Sequence, residues 1–285
     1  MIKAYYQLTK PRMVYANLLP LLAGFFLASK GRVDWKLLLF SALGLALVIA
    51  SGCVFNNYFD RDIDAKMDRT KNRGLVTGEV SKNGAIIFGS VLFLLGIITF
   101  YFHTNNSALL TALVGWIFYV LLYTPFKHYT VHATLIGAIA GATPPVVGYT
   151  AVTNRFDLGA ILLFIILILW QMPHFYSIAI YRLKDYTEAS IPVLPIKKGI
   201  KATKIQMLIY IMGFVIATAS LTYFGFTQYL YLIITLLLGL IWLRLAVKGF
   251  KATDDQLWAR KMFKFSLIVL TCLCFTISVS ALLLI

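Results

Sequence analysis

Long stretches without a single charged side chain constrain this chain more than any other feature of its sequence. Seven such runs occur, at residues 13–29, 37–59, 83–126, 128–154, 158–181, 205–243 and 265–285. The hydrocarbon core of a bilayer is about 30 Å thick, and about 20 apolar helical residues are needed to cross it. Five of the runs have the length of one crossing, whereas the two longest hold 44 and 39 residues and fit two crossings each.

These runs predict nine transmembrane helices. Polar tetrapeptides at 103–106 and 225–228 provide the tight turns that divide the two longest runs. Backbone groups in lipid must satisfy their hydrogen bonds within the segment, so we expect helices rather than the short alternating strands of a membrane β-barrel. Only 13% of the residues are charged, compared with about a quarter in soluble proteins. The sequence therefore predicts an all-α polytopic membrane protein and excludes a soluble enzyme or a coiled coil.

The basic residues predict the orientation of these helices. If the N-terminus is cytoplasmic, 22 of the 26 Lys and Arg residues lie on the cytoplasmic side and 4 on the other. This asymmetry follows the positive-inside rule and places the C-terminus outside. The formal net charge of +15 then suits anionic lipid headgroups, not nucleic acid, which a continuous basic stripe would bind. We see neither a signal-peptide cleavage site nor a transit segment, which favours a bacterial or archaeal plasma membrane.

An acidic cluster begins in the last turn of the second predicted span. Asn56, Asp60 and Asp64 are four residues apart, so they fall within a sector of about 80° on one helix face. Clustered carboxylates need a cation, and hard oxygen ligands suit Mg²⁺, Mn²⁺ or Ca²⁺. A solvated loop of ordinary ion pairs is the alternative, but ionisable groups inside an apolar span are usually functional. The stripe predicts a Mg²⁺–diphosphate site. Basic residues after it are expected to neutralise phosphate charge: Arg69, Lys71 and Arg73.

A second acidic cluster follows the sixth predicted span, on the same membrane face by the parity of the spans. Asp185 and Glu188 are three residues apart, so one helix face can carry both. The spacing leaves two interpretations open, a capped helix end in a basic loop and a part of a site shared with the first cluster. Lys127, at the cytoplasmic end of the fourth span, is either a snorkelling anchor or a phosphate ligand from a third helix.

Four stretches of the sequence resemble the intramembrane prenyltransferase (UbiA) superfamily. Residues 56–73 are similar to its first acidic motif, and three others are similar to the branch that modifies heme: 123–125, 170–175 and 185–195. The resemblance covers nearly the whole chain. It implies a single intramembrane prenyltransferase domain over residues 1–285, in which the nine helices surround a central cavity open to the cytoplasmic side.

The resemblance implies transfer of a farnesyl group from farnesyl diphosphate to a vinyl group of heme b, giving heme O and diphosphate, with Mg²⁺ as cofactor. One ion would be held by Asn56, Asp60 and Asp64, and a second by Asp185. Arg61 and Lys127 would contact phosphate oxygens. Four more residues complete the expected substrate-binding set: Tyr123, Arg182, Lys184 and Glu188. His174, beside Pro173 in the sixth span, is the first choice for a heme contact, and the second choice is His128 or His132.

Two positions depart from the superfamily pattern. Many members have Asp where this chain has Asn57, and a second carboxylate where it has Ala189.

Three alternative functions are open. They are a prenyltransferase for a quinone precursor, a transporter that uses the acidic stripe as an ion path, and a heme-binding assembly factor without catalysis. Transporters place such groups near the bilayer midplane, whereas this stripe is expected at the interface. The implied protein partner is a heme A synthase or a cytochrome oxidase assembly factor.

Overall fold

A computed structural model describes residues 2–68 and 70–282 of the chain. The described residues are almost entirely helical and contain no strand. Thirteen α-helices are present: α1 (Ile2–Leu8), α2 (Pro11–Ser29), α3 (Trp35–Asp64), α4 (Lys82–His103), α5 (Asn106–Ile117), α6 (Thr124–Phe126), α7 (Ala133–Gly141), α8 (Thr143–Thr153), α9 (Leu158–Tyr181), α10 (Leu183–Glu188), α11 (Leu194–Tyr223), α12 (Tyr229–Lys248) and α13 (Asp255–Leu282). A π-helix (Phe118–Tyr123) joins α5 to α6, and a 3₁₀-helix (Gly249–Lys251) follows α12.

The nine predicted spans are confirmed. Within the described ranges, nine helical segments are long and apolar enough to cross a membrane. The turns predicted inside the two longest charge-free runs are confirmed too, because α4 ends at His103 and α5 begins at Asn106, and α11 ends at Tyr223 and α12 begins at Tyr229. The lengths of the charge-free runs predicted the number of spans because a charged side chain is costly in the hydrocarbon core.

Two helices extend beyond the charge-free runs that predicted them. Helix α3 continues to Asp64, past residue 59, because the acidic side chains in its last turns are buried beside basic partners. Helix α11 begins at Leu194, before the charge-free run at 205–243, and it is interrupted at Gly199, whose φ is +82°. Glycine adopts such a φ without a steric penalty, so the chain changes direction there before entering the membrane.

The first and last spans lie side by side. Helix α2 packs against α3, α8 and α13, and α9 packs against α11 and α13. The backbones of α2 and α8 come especially close at Gly24, where an added Cβ would lie 1.9 Å from the carbonyl oxygen of Pro145. Small residues allow this kind of approach between membrane helices. The closed arrangement brings the N-terminal end of α2 next to the last turns of α3.

The π-helix Phe118–Tyr123 sets the end of the fourth span. The Thr124 hydroxyl donates to the carbonyl oxygen of Tyr119, five residues earlier, at 2.8 Å. Single π-turns inside α-helices are frequently found at functional sites because they shift the direction of the side chains that follow. Here the residues that follow, Lys127 and His128, face the acidic end of α3.

Candidate active site

The three residues of the oxygen-rich stripe lie in the last turns of α3 and are all buried. Asn56 is 3% exposed, Asp60 5% and Asp64 2%. Their four-residue spacing places them on one helix face, as predicted. Burial of two carboxylates is expensive unless each has a partner of opposite charge or a metal. The surroundings of the stripe therefore decide what it can do.

Each residue of the stripe contacts a different basic side chain. The Lys10 ammonium donates to Oδ1 of Asn56 at 2.5 Å, and Arg73 donates from its guanidinium to Oδ2 of Asp64, also at 2.5 Å. Lys127 forms an ion pair with Oδ2 of Asp60. These three cations come from the start of α2, the loop after α3 and the end of the fourth span. They surround two carboxylates, so the site carries an excess of positive charge.

One carboxylate oxygen of the stripe is left without a hydrogen bond. Oδ1 of Asp60 is buried and has no hydrogen-bond partner among the described residues, and Nε2 of His128 lies 3.6 Å from it. A buried acceptor without a partner is uncommon and calls for an explanation. An oxygen donor set with a free lone pair fits a hard cation such as Mg²⁺.

The stripe alone does not complete a metal site. Within the described ranges, no three His, Cys, Asp or Glu side chains converge to hold a metal. Mg²⁺ commonly binds one or two carboxylates and takes its other ligands from water and substrate phosphates. Two carboxylates and one amide oxygen, with three cations around them, fit a metal that arrives with a diphosphate.

The amide of Asn56 is held in one orientation. Its Nδ2 donates to the hydroxyl of Thr124 at 3.1 Å, and that hydroxyl in turn donates to the Tyr119 carbonyl. The π-helix therefore fixes the amide so that its Oδ1 oxygen faces Lys10. The neighbouring Asn57 has a different task, because its Nδ2 donates to the carbonyl oxygen of Leu8 at 2.8 Å and ties α3 to the N-terminal segment.

Lys10 is the member of the site that sequence reasoning missed. Burial lowers the pKa of its ammonium group to about 8. Its backbone adopts a left-handed conformation with a φ of 49°, which is uncommon for residues other than glycine and directly precedes Pro11. In the sequence, Lys10 looks like an ordinary positively charged flank of the first span. Only the packing of α2 against α3 reveals its contact with Asn56.

The other basic residues predicted near the first cluster have local partners. Arg61 donates to the Tyr58 carbonyl at 2.8 Å and lies 3.4 Å from the Asp62 carboxylate. Lys71 donates to the exposed Asp68 carboxylate at 2.7 Å. Arg69 lies outside the described residues. Of the described residues in this group, only Arg73 contacts the stripe. The roles of the whole group as phosphate ligands stay predictions.

The second acidic cluster is more exposed and pairs with its own neighbours. Asp185 lies 3.1 Å from the Arg182 guanidinium, which also donates to the Tyr181 hydroxyl at 3.1 Å. Lys184 and Glu188 are 3.8 Å apart at the surface. All but Tyr181 lie on or beside α10, a helix of only six residues. Ion pairs of this exposed kind contribute little to stability.

A charge in the loop after the first cluster interacts with a charge of the second cluster. The pKa of Asp68 is lowered, mainly by its hydrogen bond to Lys71, and Lys184 contributes to the same shift. Among the described residues, no hydrogen bond or ion pair joins Asp185 to Asp60 or Asp64. The expectation that both clusters serve one site stays a prediction.

A pocket of about 430 Å³ opens beside the second cluster. It lies between the end of α9, α10 and the first turns of α13. Its lining residues are Tyr181, Arg182, Lys184, Asp185, Gln256, Arg260, Phe263 and Lys264. On the α13 side, Gln256, Arg260 and Lys264 are four residues apart, a spacing that places them on one helix face and is visible in the sequence.

The three candidate heme-contacting histidines occupy different surroundings. Nδ1 of His174 is 2.7 Å from the Ser266 hydroxyl, and its ring lies between Trp170 and Phe263. His128 approaches Asp60, whereas His132 is exposed at the start of α7. The three roles stay predictions, and the surroundings of His174 connect it to the pocket through Phe263.

Tyr123 belongs to the wall beside the stripe. Its ring stacks on Tyr119 with centroids 5.7 Å apart, and the Lys127 ammonium lies 5.7 Å from its centroid. Gly137 allows this position, because a Cβ there would come within 2.9 Å of the Tyr123 ring. The site thus combines buried oxygen ligands and cations with an aromatic surface, which suits a substrate with an anionic head and an apolar chain.

Comparison with known sequences identifies close relatives. The sequence profile of the UbiA prenyltransferase family matches residues 17–268. A curated relative, protoheme IX farnesyltransferase of Protochlamydia amoebophila, is 52% identical over 277 residues, which cover 97% of this chain and 98% of that protein.

Comparison with solved structures identifies the same architecture. The structure of a digeranylgeranylglyceryl phosphate synthase matches with a TM-score of 0.83 and 21% identity, covering 99% of this chain and 98% of the other. A UbiA homologue from Archaeoglobus fulgidus, solved with bound GPP and Mg²⁺, matches with a TM-score of 0.76 and 18% identity, covering 97% and 99%. At these identities the likeness concerns the fold.

Proposed function

The chain belongs to the UbiA prenyltransferase family, and we propose that it transfers a farnesyl group from farnesyl diphosphate to a vinyl group of heme b. The products are heme O and diphosphate, and one water molecule is consumed. The observation that carries the reaction class is the buried stripe of Asn56, Asp60 and Asp64 with a cation at each residue. The choice of heme as acceptor is supported by the name of the relative that is 52% identical.

We assign the metal of this reaction to the stripe. Asp60 offers a buried oxygen without a hydrogen bond, and Asp64 and the oriented amide of Asn56 add oxygen ligands on the same face. Asp185 is the expected ligand of a second ion. When bound, Mg²⁺ would neutralise part of the diphosphate charge and so favour its departure.

The basic residues around the stripe stabilise the leaving group in this proposal. The bond between C1 of the farnesyl chain and the diphosphate oxygen breaks, and its electron pair leaves with the diphosphate. Lys10, Arg73 and Lys127 already lie within hydrogen-bond or ion-pair distance of the stripe, so they face the anion that it holds. Preorganised positive groups of this kind lower the barrier because they need no rearrangement as charge develops.

The apolar surroundings protect the electron-poor chain carbon until heme attacks. The vinyl group of heme forms the new carbon–carbon bond to C1 of the farnesyl chain. Water then adds to the other carbon of the vinyl group, and a proton is released. The stacked rings of Tyr119 and Tyr123, next to Lys127, offer aromatic faces that steady a positive carbon. Early entry of water would give farnesol instead, so a dry cavity is required.

We also propose the placement of the enzyme in the plasma membrane. The N-terminus is cytoplasmic and the C-terminus is outside, because 22 of the 26 basic residues then lie on the inner face. The site opens toward the cytoplasm through a central cavity. Residues 1–285 form one domain, a proposal supported by the packing of α2 against α13.

A reconstituted assay tests this function. Purified protein is incubated with heme b, farnesyl diphosphate and Mg²⁺, and the extracted pigment is weighed by mass spectrometry. We expect the mass of heme O, and we expect it to disappear when EDTA removes the metal and to return when Mg²⁺ is added. A parallel reaction offers 4-hydroxybenzoate in place of heme. Prenylated hydroxybenzoate together with unchanged heme would identify a quinone-precursor enzyme and contradict the proposal.

A further inference from the structure

The pocket at the start of α13 carries an unusual concentration of positive charge. Four of its eight lining side chains are basic, and Asp185 is the single carboxylate among them. Asp185 is already paired with Arg182, at 3.1 Å. The acidic residues at the start of α13 are engaged elsewhere, because Asp255 pairs with Lys204 and Asp254 caps the helix by accepting from the Leu257 amide. An anionic ligand would meet more positive charge than the protein neutralises.

Two basic groups of the pocket lie on one face of α13 and have no acidic partner among the described residues. Arg260 and Lys264 are four residues apart, which corresponds to a rise of about 6 Å along the helix. Neither forms an ion pair with any described residue. The Arg260 guanidinium lies 5.9 Å from the centroid of the Tyr181 ring, on the opposite wall of the pocket. Two neighbouring cations of this spacing fit a ligand with two separate anionic groups.

A column of aromatic rings leads from this pocket into the membrane. The Tyr181 and Phe263 centroids are 5.7 Å apart, and those of Phe263 and His174 are 5.0 Å apart. The column continues to Trp170, whose centroid is 4.8 Å from that of His174. Two hydrogen bonds to Ser266 of α13 hold the column in place. Trp170 Nε1 donates to the Ser266 carbonyl oxygen at 2.8 Å, and His174 Nδ1 is hydrogen-bonded to the Ser266 hydroxyl at 2.7 Å. Of these rings, Tyr181 and Phe263 line the pocket and give it flat apolar surface beside the basic groups.

The two walls of the pocket differ in what they attract. The α9–α10 wall contains Asp185, which suits a metal ion that accompanies a diphosphate. The α13 wall has cations and an aromatic ring but no carboxylate, so it offers nothing to a metal. Its combination of separate cations and flat apolar surface fits a large planar molecule that carries carboxylates on one edge.

We propose that Arg260 and Lys264 bind the two propionate carboxylates of heme b, while Phe263 contacts the edge of the macrocycle. This inference rests on the proposed function and adds the groups that orient the acceptor. The propionates and the vinyl groups occupy opposite edges of the heme. Anchoring the carboxylates at the membrane surface therefore directs the vinyl edge away from α13 and into the interior of the bundle.

The test compares heme b with its dimethyl ester, which keeps the macrocycle and vinyl groups but loses both negative charges. For the wild type we expect the KM of the ester to exceed that of heme b by about tenfold or more, as for loss of a hydrogen bond to a charged group. In Arg260→Ala and Lys264→Ala the KM of heme b rises by a similar factor, whereas the KM of the ester rises little above its wild-type value. Arg260→Lys restores most of the affinity.

A matched control and a second substrate separate this site from the diphosphate site. Lys261 is exposed on α13 next to Arg260 and is not part of the pocket, so Lys261→Ala should behave as the wild type. The KM of farnesyl diphosphate should be unchanged in all these variants. If it rises in Arg260→Ala instead, or if Arg260→Ala matches Lys261→Ala for both hemes, the inference is overturned.

Binding without turnover keeps the inference testable if the proposed function fails. Wild-type protein that produces no heme O would refute the function. Absorbance titration of the same protein with heme b and with the ester would still measure how tightly each binds to the pocket. Tighter binding of heme b than of the ester, lost in Arg260→Ala but kept in Lys261→Ala, supports it. Equal binding of both hemes by the wild type overturns it.

Discussion

The two acidic clusters of this protein differ in how their charges are accommodated. Asp60 and Asp64 are buried, and each pairs with a cation from a different part of the chain. Asp185 and Glu188 are partly exposed, and each pairs with a residue three or four positions away. Burial demands partners from distant elements, and those partners fix the geometry. We therefore expect the first cluster to govern both chemistry and stability, and the second to tolerate change.

The largest expected effect comes from Asp60→Asn. The substitution preserves shape but removes the charge that faces both Lys127 and the proposed metal. Loss of one such preorganised group typically lowers kcat by about 10²–10³-fold. Heme O formation followed by mass spectrometry measures it. Asp62→Asn is the matched control, because this neighbouring carboxylate is 79% exposed and should leave the rate unchanged. Equal rates in the two variants would remove the distinction between the stripe and its surroundings.

Lys127→Met should have the next largest effect and act on stability as well as on turnover. It leaves the buried Asp60 carboxylate without its cation, and breaking a buried pair typically costs about 3–5 kcal/mol. Thermal unfolding in detergent measures the loss. Lys184→Met removes a surface pair of the second cluster and should cost less than about 1 kcal/mol. A larger loss in Lys184→Met than in Lys127→Met would reverse the ranking of the two clusters.

Asp185→Asn should reduce turnover less than Asp60→Asn does. We expect the two rates to differ by about tenfold or more, equivalent to about 1.4 kcal/mol of activation free energy. The reason is exposure, since the Asp185 side chain is 40% exposed and solvent water can replace a lost oxygen ligand there, whereas Asp60 is buried. Side-by-side kcat values with saturating heme and farnesyl diphosphate give the ratio. Equal losses would show that both clusters hold essential metal ligands.

Glu188→Gln should have the smallest effect. Its carboxylate is 3.8 Å from Lys184, and the side chains of Lys184 and Glu188 are 83% and 48% exposed. We expect an unfolding free energy within about 0.5 kcal/mol of the wild type and a normal rate. Activity and thermal unfolding of the purified variant check both. A strong loss of activity would assign Glu188 a direct part in the reaction.

Much of the fold could be predicted because charge is so unfavourable in lipid. The nine spans followed from the lengths of the charge-free runs, and the two tight turns followed from the tetrapeptides at 103–106 and 225–228. The ends of α3 and α11 could not be predicted this way. A buried ion pair allows a charged residue such as Asp64 to stay within a helix, and its partner Arg73 is nine residues away in a loop.

The site was predictable only where its residues share one helix. The spacing of Asn56, Asp60 and Asp64 marks a face of α3 in the sequence, whereas Lys10 reaches Asn56 from 46 residues away. Arg260 likewise meets Arg182 in the pocket only because α13 packs against α9. Contacts between distant elements depend on helix packing, which no local pattern in a single sequence encodes.

A structure with Mn²⁺ and a non-hydrolysable thio analogue of farnesyl diphosphate tests the proposed centre most directly. Mn²⁺ replaces Mg²⁺ at oxygen sites, and anomalous scattering locates it. We expect a metal within about 2.0–2.2 Å of carboxylate oxygens of Asp60 and Asp64, with Lys127 and Arg73 on the diphosphate. A metal and diphosphate bound elsewhere, with the stripe still occupied only by its own ion pairs, would contradict the assignment.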